Sequence, residues 1–291
     1  MSLWQDVSRQ IQQTDNSLFT ATSQTSMGGG CINSAYRISD GTTDYFVKLN
    51  STLHGDMFEV EYLTLLEMAN SHTLKVPHPV CFGESGNQAY LVLEFLDLSG
   101  RVDPILQGQQ LAEMHRHTAQ QFGWQRSNTI GSTPQQNTYM DDWVDFWREQ
   151  RLLPQLKLAI RNGYGKSLGN TIETLISRFP VLFSSYQPEP SMLHGDLWGG
   201  NAAALSDGSP VIFDPAFYYG DRETDLAMTT LFGGFSPDFY TAYNDAWPLD
   251  DGYVIRKSLY NLYHLLNHLN LFGTGYLGQS ISLAEKVLAE I

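Results

Sequence analysis

The chain has 291 residues, 42% of them hydrophobic and 16% charged, and its 17 Lys and Arg against 31 Asp and Glu leave a net charge of −14. That composition excludes a disordered chain, which needs low hydrophobicity, and the length suffices for a core without disulfide or metal staples. The acidity excludes a general nucleic-acid binder and a binder of anionic membrane surfaces. Residues 1–97 hold four basic and eleven acidic residues, and residues 98–291 hold thirteen and twenty, so neither part offers a basic stripe. An anionic small ligand must be held by a few placed cations, backbone N–H groups or a metal.

Leu3 to Gln13 has the spacing of a short amphipathic helix. Leu18 to Met27 reads as a strand, Gly28-Gly29-Gly30 as a turn, and Cys31 to Ser39 as a second strand. Asp40-Gly41 is a turn signal before a third strand, Tyr45 to Leu49. Met57 to Ala69 carries apolar residues at 57, 58, 62, 65, 66 and 69, a helical period, and Pro77 and Pro79 bar its continuation. Val80 to Phe82 and Ala89 to Leu96 read as two further strands. Residues 1–97 are therefore expected to form a five-stranded antiparallel sheet with one inserted helix.

Beyond Gly100 the pattern turns helical, at Pro104–Thr118, Asp141–Leu153, Ser167–Phe179, Thr224–Phe232, Pro237–Trp247, Gly252–Phe272 and Ser280–Ile291. One strand pair is expected among them, Ala202–Ser206 with Pro210–Phe213. The predicted class is α+β, with a small β-rich lobe (residues 1–97) and a larger, mainly helical lobe (residues 98–291). No run of 18 apolar residues occurs, which predicts no transmembrane helix. Met1 to Asp6 has neither a basic region nor an apolar run, so no signal peptide is expected. Two cysteines, Cys31 and Cys81, make no disulfide framework and point to a reducing, cytoplasmic setting.

The strongest chemical signal is Leu193-His194-Gly195-Asp196-Leu197-Trp198-Gly199-Gly200-Asn201, followed by Val211-Ile212-Phe213-Asp214. Taken singly, Asp196 could cap a helix and Asp214-Pro215 could be a turn. The ordered set says more. Phosphoryl transfer needs one carboxylate to orient an acceptor hydroxyl and receive its proton, and a second carboxylate with an amide oxygen to hold Mg²⁺ against the phosphates. Asp196 fits the first role; Asn201 and Asp214 fit the second.

This string resembles the aminoglycoside-phosphotransferase branch of the protein-kinase-like fold, and more narrowly the fructosamine kinase (ketosamine-3-kinase) family. Phe46-Val47-Lys48, Met57-Phe58-Glu59-Val60-Glu61, Phe213-Asp214-Pro215-Ala216, Tyr219-Gly220, Leu231-Phe232-Gly233-Gly234-Phe235 and the Asn267–Gly273 segment match it as well. The resemblance implies a two-lobe kinase-like fold, with ATP and Mg²⁺ as cofactors. It implies a ketosamine acceptor, free or protein-bound, phosphorylated on its C3 hydroxyl and thereby deglycated. An aminoglycoside- or choline-type phosphotransferase and a non-catalytic pseudokinase are the rival readings.

By the same resemblance Lys48 on the third strand pairs with the phosphates, held by a helix glutamate, Glu61 first and Glu59 second. Gly28, Gly29, Gly30 and Cys31 lie where a phosphate-covering loop belongs. Cys31 reads either as a small buried hydrophobe or as a redox-sensitive thiol. Glu94, Phe95 and Leu96 are either strand and linker or the hinge whose backbone meets adenine. Asp221 and Glu223 suit the first turn of a helix, and Asp225 is implied to brace the catalytic loop. His264 and His268 share a helix face, yet the H-E-x-x-H metal pattern is absent. With Asn267, and with His194, Trp198 and Tyr219 near the catalytic string, they are implied to line the acceptor site. Trp198 reads equally as a packed core ring.

Overall fold

The computed structural model describes residues 2–28 and 33–291. They divide into two compact units, Met1–Asp103 with Ala203–Pro215, and Pro104–Ala202 with Ala216–Ile291. Among the described residues no helix is long and apolar enough to cross a membrane.

The first unit is built on strands β1 (Ser23–Met27), β2 (Ser34–Ser39), β3 (Asp44–Ser51), β4 (Pro79–Ser85) and β5 (Gln88–Glu94), all antiparallel in the order β1-β2-β3-β5-β4. Tyr45, Val47 and Leu49 alternate along β3 into a core shared with Val7 and Ile11 of helix α1 (Leu3–Asp15). The two-residue period of a strand then turns Lys48 to the opposite face. Helix α2 (Gly55–Asn70) packs against β4 and β5 and buries Phe58, Leu65 and Met68.

The expected first strand is shorter at its start. Residues 19–21 bind α1 instead of the sheet: Gln12 Nε2 donates to the Phe19 carbonyl at 2.7 Å, and Ser8 Oγ accepts the Ala21 N–H at 3.1 Å. Phe19 packs edge-on to Tyr45 at 4.9 Å.

The hairpin Ala202–Ala204 with Pro210–Ile212 returns the chain to the first unit. Ile212 N–H donates to the Lys75 carbonyl at 3.0 Å and Gly100 N–H to the Ala204 carbonyl at 3.2 Å. These bonds carry Asp214 to the first unit, although Asp214 lies far along the chain.

The second unit holds helices α3 (Pro104–His115), α4 (Trp143–Phe146), α5 (Leu153–Arg161), α6 (Gly165–Arg178), α7 (Glu223–Met228), α8 (Pro237–Ala246), α9 (Tyr253–Phe272) and α10 (Leu277–Ala289). Two strand pairs interrupt them that the sequence pattern did not lead us to expect, Asn128–Ile130 with Thr133–Gln135 and Ser191–Leu193 with Tyr218–Gly220. Each strand has three residues, too few to display alternation.

The helix expected to stop before Pro154 continues through a π-helical turn, Trp147–Leu152, into α5. A proline inside a helix removes one N–H and crowds the carbonyl four residues back, here that of Gln150. The widened turn runs Leu153 N–H to the Arg148 carbonyl, and the Arg151 guanidinium takes the Gln150 carbonyl at 2.9 Å. Trp143, Phe146 and Trp147 form the buried face their spacing implies, packed with Tyr218 and Tyr260.

Candidate functional site

In the first unit, Lys48 Nζ lies 2.5 Å from Glu61 Oε1 and 2.5 Å from Asp214 Oδ1. Three separate elements deliver these groups: β3, α2 and the segment after the 202–212 hairpin. The lysine is 7% exposed. Burial alone would pull its ammonium down, but the charges of Glu61 and Asp214 outweigh it and hold the group above its ordinary value. Burial pushes the Glu61 carboxyl up, against the pull of Lys48. Asp214 differs from Glu61 in two respects. Its side chain is about half exposed, and its backbone sits at φ 58°, which most non-glycine residues avoid.

Glu94 uses its carboxylate locally, accepting Lys75 Nζ at 2.5 Å and the His78 N–H at 2.6 Å. Phe95 lies under the Arg37 guanidinium at 4.9 Å, and Leu96 follows it beyond the sheet. Gly28 is exposed at the end of β1. Gly29, Gly30 and Cys31, named above for a phosphate-covering loop, lie outside the described residues. Cys81 is buried in the sheet, and burial pushes its thiol up to about 12.

In the second unit the Ser191–Leu193 strand pairs with Tyr218–Gly220 and leads directly into the His194–Asn201 loop. Gly195 has φ 81°, and a Cβ there would lie 2.1 Å from the Ala216 carbonyl oxygen, so only glycine fits. Asp225 on α7 accepts the His194 N–H at 2.7 Å and the Gly195 N–H at 2.8 Å. His115, fully buried at the end of α3, lies 3.2 Å from the same carboxylate through Nε2 and 2.8 Å from Tyr243 Oη through Nδ1. Burial alone would raise the Asp225 carboxyl; the hydrogen bond and charge of His115 and the loop's contacts hold it below its ordinary range.

The loop closes on itself through Asn201, whose Nδ2 donates to the Asp196 carbonyl at 2.9 Å and reaches Asp196 Oδ2 at 3.3 Å. His194 is buried, and its Nδ1 accepts the Asp196 N–H at 3.2 Å.

The residues named for an acceptor scatter in character. Trp198 is half-buried and edge-on to Phe232 at 6.5 Å. His268 packs on Phe232 at 4.4 Å and lies 5.2 Å from Tyr276. His264 is 3% exposed, and burial pulls its imidazole down to about 3. Asn267 is spent inside: its Oδ1 accepts Gln155 Nε2 at 3.1 Å and its Nδ2 donates to the Ile130 carbonyl at 3.3 Å. Tyr219 pairs through its backbone with Met192 and packs on Phe217 at 5.4 Å. His115 has a place in this network that its sequence neighbourhood did not disclose. The available signal was its spacing from Leu111, which puts both on the inward face of α3.

The sequence profile described as fructosamine kinase matches residues 3–290. A Synechocystis protein named "Probable ketoamine kinase" is 47% identical over 290 residues, 98% of this chain and 97% of its own. The "Protein-ribulosamine 3-kinase, chloroplastic" of Arabidopsis thaliana is 44% identical over 268 residues, 90% of this chain and 82% of its own. Among solved structures, a Haemophilus somnus protein assigned as a fructosamine-3-kinase superposes with a TM-score of 0.89 at 27% identity, covering 97% of this chain and 96% of that one. An aminoglycoside phosphotransferase, APH(4)-Ia, gives 0.61 at 14% identity with 99% of both chains covered. The choline kinase of Streptococcus pneumoniae gives 0.64 at 14%, covering 98% of this chain and 100% of that one. These two share the protein-kinase-like fold with this chain.

Proposed function

The chain belongs to the fructosamine kinase family, and from that premise we propose that it transfers the γ-phosphoryl group of ATP to the C3 hydroxyl of a ketosamine, free or protein-bound. The 3-phosphate it forms is unstable and releases the amine, so the role is deglycation, carried out in the cytoplasm.

The observation that carries this reading is the braced loop. Asp225 takes two successive backbone N–H groups, and Asn201 fastens the far end, so Asp196 is held by hydrogen bonds on both sides. A carboxylate so fixed can orient an acceptor hydroxyl and receive its proton as the phosphoryl group arrives. Lys48, held by Glu61, steadies the phosphates. Gly28, Gly29, Gly30 and Cys31 are assigned to ATP binding with it, and the backbone of Glu94, Phe95 and Leu96 to adenine. His194, Trp198, Tyr219, His264 and His268 serve the acceptor, and Asn267 supports their helix from within.

Asn201 and Asp214 would hold Mg²⁺. They offer oxygen donors, and the Asn201 nitrogen is already committed to Asp196, which leaves its side-chain carbonyl oxygen as the ligand atom. Among the described residues no group of three or more His, Cys, Asp or Glu could hold a metal alone. Mg²⁺ is commonly bound through one or two protein oxygens, its shell completed by phosphates and water. When bound, it supplies neutralising charge at the phosphates.

The test is ATP consumption with ketosamines, aminoglycosides and choline offered separately. Turnover with ketosamines alone is expected. Turnover with an aminoglycoside or choline and none with any ketosamine overturns the substrate assignment, and no turnover with any of them favours a binding module.

A further inference from the structure

Two buried polar atoms on α9 have no hydrogen-bond partner among the described residues, Asn261 Oδ1 and His264 Nδ1. Asn261 is 7% exposed and His264 3%. They stand three residues apart, and His268 follows four later, so the three share one stripe of the helix. The remaining atoms of this kind, Ser191 Oγ and Trp147 Nε1 among them, lie on other elements. Buried polar groups are rarely left unpaired, and leaving one so is costly.

The stripe lies under the segment that follows α7. Asn261 Nδ2 reaches Thr230 Oγ1 at 3.4 Å, the long limit of a hydrogen bond. His268 packs on Phe232, and Phe232 touches Trp198, two residues past Asp196. The covering segment runs straight into Gly233 and Gly234. Gly233 has φ 113°, with no atom within 4 Å of where a Cβ would stand. Among the described residues the cover is held by one long hydrogen bond to α9 and by ring contacts of Phe232 rather than by backbone pairing, and it runs into a glycine that no neighbour constrains, which lets the segment swing. A sugar hydroxyl both donates and accepts, so two neighbouring hydroxyls match a carbonyl oxygen and an imidazole nitrogen whose tautomer adapts.

We propose that Leu231–Phe235 is a lid over a polyol subsite: it opens to admit the acceptor and closes on its sugar chain, whose hydroxyls pair with Asn261 Oδ1 and His264 Nδ1. This assignment rests on the ketosamine reading and names the part of that substrate the helix reads. Asn261 is a specificity residue; it takes no part in the transfer.

The test compares two ketosamines of one amine, a six-carbon and a four-carbon sugar, with wild type and Asn261→Leu. Wild type is expected to prefer the longer chain. Asn261→Leu is expected to raise the KM for the longer chain about tenfold, the worth of one neutral hydrogen bond, with the KM for the shorter chain and for ATP unchanged. Hydrogen exchange on wild type provides the arm that needs no variant: the longer ketosamine is expected to protect amides of Leu231–Phe235 and the shorter one to protect them less. A preference that survives in Asn261→Leu, or equal protection by both sugars, overturns the lid and leaves only a buried water at these atoms. Wild type that phosphorylates neither sugar overturns the kinase reading and the subsite with it.

Discussion

The two halves of the proposed machinery are held by different forces. Lys48 is gripped by charge, through Glu61 in the interior and through Asp214, which is about half exposed. The catalytic-loop backbone is gripped by hydrogen bonds, two N–H groups on the fully buried Asp225, which is itself paired with His115. An ion pair with an exposed partner can be exchanged when a polyanion arrives; a buried carboxylate holding backbone amides cannot be exchanged without unfolding the loop. The difference separates a part that handles the ligand from a part that must not move.

Four substitutions or conditions sharpen or break that contrast. Asp196→Ala is expected to lower kcat about a thousandfold, in the range of a lost general base, with ATP affinity retained by calorimetry; near-full turnover would contradict its role. Asp225→Ala is expected to cost about 3 kcal/mol of stability by stranding two buried N–H groups and His115, read as a fall in Tm and denaturant midpoint. Glu61→Gln is expected to raise the KM for ATP about tenfold, one hydrogen-bonded charge's worth, with a smaller fall in Tm than Asp225→Ala. If Glu61→Gln proved the more destabilising, the contrast between the halves would fail.

The smallest effect is a pH slope. Burial depresses His264 from 6.5 to about 3 and lowers His115 and His268 as well. Unfolded, these three imidazoles therefore bind more protons below 6.5 than they do folded, and their contribution to stability falls as pH drops through that window, while the raised carboxyls of Glu61, Asp221 and Glu223 act in the opposite sense. Tm measured between about pH 4 and 7 should therefore fall more steeply toward acid, or rise less, in wild type than in His264→Gln. An unchanged slope in that variant would remove His264 from the account.

Much of the architecture was legible because it is local. The alternation in Tyr45–Leu49 reflects one buried face, and the period in Met57–Ala69 marked a helix whose buried face holds Phe58 and Leu65 of that set together with Val60, Thr64 and Met68. Asp196 and Asn201 were legible because a single turn sets their spacing. The Lys48–Asp214 pair spans 166 residues and the His115–Asp225 contact 110, so no local pattern encodes either. The family's order of motifs named both residues of the first pair but not their contact, and of the second it named only Asp225. Three-residue strands carry no period, and Pro154 concealed a helix that the chain continues by widening one turn. Asn261 was invisible for another reason, since an unpaired atom is defined only by what packs around it.

The most direct measurement is a phosphotransfer reaction on ribosylated and fructosylated lysine, followed by mass spectrometry. The account predicts an ATP-dependent gain of one phosphate at C3, followed by release of free lysine, and neither with Asp196→Ala. A phosphate at another hydroxyl, or no phosphate on either substrate, would contradict it.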